Sequence, residues 1–149
     1  MGLGNQVKSI FTSRGLGLRV ERAQALYTMA THPLFTVTGG NILLTSIYGI
    51  TATGAVPAFA TTVQFRAAAV VLDSGAADLT GAAVGTIFAP TLTVGDPCGL
   101  GLAVAAPDQP FIVPIGVIDI IIGRATTPAT IGFVMHYIPL DIGASVAVV

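Results

Sequence analysis

Apolar residues recur in short runs from Leu34 onward, and Gly, Pro and Asp interrupt them at short intervals. The runs are rich in Val, Ile, Thr, Phe and Tyr, which fit a pleated, half-buried surface. They predict strands over Leu34–Thr38, Ile42–Thr51, Thr62–Leu72, Thr86–Thr93, Leu102–Ala105, Phe111–Ile122 and Thr130–Leu140, with a last short strand near Ser145–Val148. Breaks fall at Gly39-Gly40, between Gly54 and Pro57, at Asp73-Ser74-Gly75, at Gly95-Asp96-Pro97, between Pro107 and Pro110, and between Gly123 and Pro128. Many short strands without a long helical period predict an all-β fold, a jelly-roll-like antiparallel sandwich or barrel over residues 34–149.

Alternation within two runs bears on interfaces. Strict alternation in Ile42–Ile50 puts Ile42, Leu44, Ser46, Tyr48 and Ile50 on one face and Leu43, Thr45, Ile47 and Gly49 on the other. In Ile131–Leu140 one face carries Ile131, Phe133, Met135 and Tyr137, and the other Val134, His136, Ile138 and Leu140. An antiparallel sheet with one solvated face shows a clean polar side. Here both sides lean apolar. One face therefore lines the core, and the other is expected to pack on another subunit, with Val134, His136, Ile138 and Leu140 as the self-association residues.

Residues 1–33 read differently. Gly2, Gly4, Gly15 and Gly17 loosen the segment, and Lys8, Arg14, Arg19 and Arg22 outweigh Glu21 over the first 22 residues. This predicts an extended basic N-terminal arm ordered against a partner, with a short helix over Glu21–Met29 as an option. Its four cations are candidate contacts to an acidic protein surface. Nucleic acid is the weaker partner, because the charge is modest and Phe11 is the lone aromatic among these cations.

Composition strengthens the assembly reading. Charged residues make up 9% of the 149 residues and hydrophobic residues 53%, against a usual charged share of about 25%. A folded monomer of this size exposes roughly 7,000 Å², so large apolar areas need a neighbour. A membrane is not the expected neighbour. Residues 23–65 lack charge but are broken by Thr, Pro33, Pro57 and Gly39-Gly40, so no window of about 20 residues is continuously apolar. The start, MGLGNQVKSIF, lacks the apolar stretch and cleavage site of a secretory signal. Absent Trp and only 3 Tyr argue against the aromatic girdles of a membrane barrel.

Candidate chemistry is sparse. Cys98 is the single cysteine, in a turn-rich GDPCGLG context, so no intrachain disulfide forms. Asp73 and Asp78 in LDSGAADLTG read as turn caps rather than an acid–base pair. His32 and His136 lie far apart and make no zinc pattern with Cys98. GLGL at Gly15–Leu18 and Gly99–Leu102 belongs to no nucleotide-binding unit. No enzyme, metal or cofactor is expected.

The segment LFTVTGGNILLTSIYGIT (Leu34–Thr51) resembles a strand, Gly-Gly turn and strand opening of small tailed-bacteriophage structural proteins. The stretch from Pro114 to Ala147, with PIGVIDI and YIPLDIGASV, resembles that family's ending, and Val84-Gly85-Thr86-Ile87 its middle. The resemblance spans residues 34–147. The chain departs from the pattern at Met135, where the family often has Trp, and at Asp141, which stands alone where more acidic residues are common. What the resemblance implies is a capsid decoration, or cement, protein: a homo-oligomer, typically a trimer of small β-domains, that binds the major capsid protein lattice and braces the head. The capsid surface of the virion, with assembly in the host cytoplasm, is the implied location. Lys8, Arg14, Arg19 and Arg22 would make the capsid contact. The competing expectation is a head-fibre or tail-tip module that binds a host receptor or glycan.

Overall fold

The computed structural model describes residues 17–52, 62–68, 70–71, 78–90, 99–101, 111–123 and 129–149. Their strands are β1 (Leu18–Tyr27), β2 (Ala30–Thr38), β3 (Ile42–Thr51), β4 (Thr62–Ala67), β5 (Val70–Val71), β6 (Ile87–Ala89), β7 (Gly99–Gly101), β8 (Phe111–Val113), β9 (Gly116–Gly123), β10 (Ala129–Pro139) and β11 (Ser145–Val148). They form two antiparallel sheets. The front sheet runs β1-β10-β3-β6-β7, with β8 also paired to β3, and the back sheet runs β11-β2-β9-β4-β5. The all-β sandwich expected from the sequence is therefore present; the pairings establish the sandwich rather than jelly-roll connectivity.

The inward faces meet in one core. Ile118, Ile120 and Ile122 of β9, Val63 and Phe65 of β4, and Phe35 and Val37 of β2 come from the back sheet, and all are buried. They face Ile131, Phe133 and Met135 of β10 and Ile42, Leu44 and Ile47 of β3. Aromatic rings stitch the layers at the centre. Phe65 lies 5.8 Å from Phe88 and 6.2 Å from Phe133, and Phe88 lies 6.0 Å from Phe133 in an edge-to-face contact. Such pairs add about 1 kcal/mol each beyond area burial. Gly49 makes the cluster possible, because a Cβ there would collide with the Phe88 ring.

Three sequence expectations need correction. Residues 18–33 of the anticipated arm are strand: β1 pairs along β10 from Leu18↔Tyr137 to Tyr27↔Ala129, and β2 begins at Ala30. The apolar positions Leu18, Val20 and Ala25 pack on the core, and that burial overrides both the helix option at Glu21–Met29 and the flexible arm. Residues 1–16 lie outside the described residues.

The second correction concerns strand lengths. Within the expected strand Thr62–Leu72, β4 and β5 instead pair antiparallel, Arg66 with Val71 and Ala67 with Val70, and β4 ends at Ala68 in a left-handed conformation (φ 47°). Phe111–Ile122 breaks at Pro114-Ile115, where the chain leaves the front sheet for the back sheet. Pro114 has no N–H for a ladder, and Gly116 takes a φ of 154°. Of Thr86–Thr93, β6 covers Ile87–Ala89, and Leu102–Ala105 lies outside the described residues.

The third correction concerns the faces of β3. The pairing to β10 slips between His136↔Ser46 and Tyr137↔Leu44, so Thr45 is an extra residue. This bulge changes the parity of the strand. Ile42 and Leu44 point inward before it, and Ile47, Gly49 and Thr51 after it, all buried. Leu43, Ser46, Tyr48 and Ile50 point outward.

Candidate interaction surfaces

The register fixes what the outward face of the front sheet presents. One row across the strands is Ile138, Leu43 and Ile112. The next is Arg19, His136 and Ser46, then Glu21, Val134 and Tyr48, then Gly132, Ile50 and Ile87. Leu26 and Thr130 close the series on the β1 side. Ile112 and Leu26 are 60% and 65% exposed, and Leu43, Tyr48, Ile50, Ile87 and Ile138 are half-buried. The face is apolar across β3, β6 and β8, and polar along β1, at Arg19, Glu21 and Gln24, and at the His136–Ser46 pair.

The anticipated self-association residues divide on this face. Val134 and His136 retain only 4% and 9% exposure, so little of either is left for a partner, whereas Leu140 is 46% exposed and Ile138 half-buried. The larger accessible contribution comes from β3, β6 and β8. Strict alternation could not reveal it, because Thr45 shifts Ser46, Tyr48 and Ile50 to the opposite face from Ile42 and Leu44.

His136 and Ser46 form a pair, with Nδ1 and the hydroxyl 2.9 Å apart. Burial lowers the pKa of His136 below its ordinary value, and the charge of Arg19 lowers it further. A hydroxyl beside an imidazole is also how a nucleophile is activated. Here the pair lies flat within a sheet face, and Ser46 and His136 serve as a satisfied cross-strand contact.

The four candidate capsid cations separate likewise. Lys8 and Arg14 lie outside the described residues. Arg19 pairs with Glu21 at 2.8 Å, both side chains about half exposed. Arg22 works inside the fold. Its Nη1 donates to the carbonyl oxygens of Pro33 at 2.7 Å and Leu34 at 3.2 Å and to the Val149 oxygen at 2.6 Å. It clamps the edge of the front sheet to the back sheet, a role invisible to the sequence because its acceptors lie 11, 12 and 127 positions away.

The outward face of the back sheet is polar by contrast. Thr36 and Thr38 of β2, Ser145 of β11, and Gln64 and Arg66 of β4 share it with Asp119, Val117 and Ile121. Arg66 binds Asp119 bidentately, with Nε donating to Oδ1 at 2.9 Å and Nη2 to Oδ2 at 2.6 Å. Asp119 is 7% exposed, and its carboxylate holds the Arg66 pKa above its usual value.

One end of the sandwich is apolar at its tips. The Gly39-Gly40 turn packs on the turn at Asp141–Ala144; a Cβ on Gly39, whose φ is 75°, would strike the Gly143 carbonyl. Asp141 Oδ2 accepts from the Asn41 backbone N–H at 2.6 Å and from Asn41 Nδ2 at 2.8 Å. Ile142 at the tip is fully exposed, and Ile115 largely so. Neither was singled out from the sequence, because an isolated Ile in a turn carries no periodic signal.

Elsewhere, Asp78 accepts from the Thr80 N–H at 2.8 Å, the turn cap expected of it, and hydrogen bonds from the Thr80 side chain and then its N–H lower the Asp78 pKa. Asp73 and Cys98 lie outside the described residues. His32 Nε2 is 2.9 Å from the Thr28 carbonyl oxygen, and its ring packs edge-on against Tyr27. No group of three or more His, Cys, Asp or Glu among the described residues could hold a metal ion. No known protein family matches this chain, nor does any characterised protein or solved structure.

Proposed function

We propose that this chain is a virion structural protein, a capsid decoration or cement protein that self-associates and braces a phage head by binding the major capsid protein lattice. The observation that carries the self-association is the apolar outward face of the front sheet, set against a polar outward face on the back sheet. Solvent alone does not select such a difference between two sheets of one sandwich. A cement role asks for adhesive surfaces rather than a catalytic cleft, and repetition on a lattice multiplies weak contacts through avidity. The phage head as the lattice rests on the resemblance of residues 34–147.

The test is the copy number of this chain relative to the major capsid protein in purified particles. Near-equal copies on the outer surface are expected. Particles that lack the chain would sink the reading, and a dozen copies or fewer would move it to a vertex or tail part.

A further inference from the structure

We infer that the outward face of the front sheet binds the same face of a second copy, sheet on sheet, about a two-fold axis. The inference rests on the self-association reading above and names its surface; the two-fold contact takes the place of the trimer implied by resemblance.

Dimensions support the second copy. The face is four strands wide, from β1 through β10 and β3 to β6 with β8, or about 19 Å at the spacing of neighbouring strands. From Thr130 to Ile138 it is about 27 Å long at the rise of an antiparallel strand. That gives about 500 Å² on each copy and about 1,000 Å² in total, which meets the lower bound for a specific interface. A smaller apolar patch, such as the Ile142 tip, falls short of it.

Charge supports it too. The face carries Arg19 and Glu21, already paired with each other near one edge, so two identical faces meet without net repulsion. The centre is apolar or neutral: Leu43, Tyr48, Ile50, Val134 and the Ser46–His136 pair. An isologous contact requires such self-complementarity. Sheets packed face to face stand about 10 Å apart, with their strands offset by about 30°. At that spacing the half-buried Leu43, Tyr48, Ile50, Ile87 and Ile138 reach the opposing layer.

Sedimentation equilibrium of the full chain over a range of concentrations tests this. The variants are Ile112→Lys and Tyr48→Lys on the face and Ile142→Lys at the apolar end. The wild-type chain is expected to be dimeric, each face variant to raise the dissociation constant at least tenfold, and Ile142→Lys to leave it unchanged. Far-UV circular dichroism and a cooperative melt check folding. Ile112 is largely exposed on a short strand, so Ile112→Lys decides the matter if Tyr48→Lys fails to fold. A dimer or trimer indifferent to both face variants would overturn this inference and leave self-association standing. A chain that stays monomeric throughout would overturn both.

Discussion

The outward faces of the front and back sheets follow the same alternation of strand positions, yet the first presents Leu43, Tyr48, Ile50, Ile112 and Ile138 and the second Thr36, Thr38, Gln64, Arg66 and Asp119. Both sheets shield the same core, so core packing does not explain the difference. The back sheet meets water with hydroxyls, an amide and a bidentate ion pair beside Val117 and Ile121. The front sheet meets it with aliphatic carbon and Tyr48 across β3, β6 and β8, and with Arg19, Glu21 and Gln24 along β1. The difference separates what folding requires from what a second contact requires. Folding needs one apolar face per sheet, and the extra one on the front sheet is surplus to the monomer.

Three experiments break or sharpen that contrast. The strongest puts a side chain on Gly49. After the Thr45 bulge Gly49 faces inward, and a Cβ there would collide with the Phe88 ring, so Gly49→Val overpacks the aromatic cluster. The chain is expected to lose about 3 kcal/mol. Denaturant melts read this directly, and a near-native midpoint would refute the assignment of faces.

The next acts on the back sheet. Arg66→Met leaves the Asp119 carboxylate largely buried without its partner, and a loss of about 2 kcal/mol is expected after allowing for the partial exposure of Arg66. The double variant with Asp119→Leu should recover most of that stability. It should also give the back sheet an apolar face and new concentration-dependent association. Recovery without association would show that an apolar face alone is insufficient.

The smallest effect is on pH. The folded chain holds His136 below its ordinary pKa, so the unfolded chain binds a proton more readily. The neutral imidazole therefore contributes stability that is present above about 6.5 and is lost as pH falls from there through the lower folded value. The groups beside His136 are Arg19 across β1, Ser46 across β3, and Glu21 and Tyr48 one row away. Chemical melts between about pH 7.5 and pH 5 should show the decline, and His136→Gln should flatten it. An unchanged slope in the variant would assign the decline to another group.

How much of this was legible beforehand differs from strand to strand. Ile42–Thr51 was readable to the residue, with Gly39-Gly40 just before its start, and the last short strand was placed in the right stretch, near Ser145–Val148. The two faces of β10 followed from plain alternation, and so did the presence of an apolar outward face. Its membership did not follow, since the Thr45 bulge leaves no mark in a run of Leu, Thr, Ser and Ile. Strand β1 was misread because Glu21, Arg22, Ala23 and Gln24 tolerate a helix, while its partners on β10 lie more than a hundred positions away. Arg22 looked like a free cation for the same reason.

The pairing of β1 with β10 also bears on when the front face comes into existence. Leu18 meets Tyr137 only after a long loop has closed, and closing such loops is the slow, entropically opposed part of folding a sandwich. Three strands far apart in the chain must be in register before Arg19, His136 and Ser46 form one row. The proposed contact with a second copy would thus form late, because a half-folded chain lacks the shape to be matched. Folding order would then keep subunits from joining before each is complete.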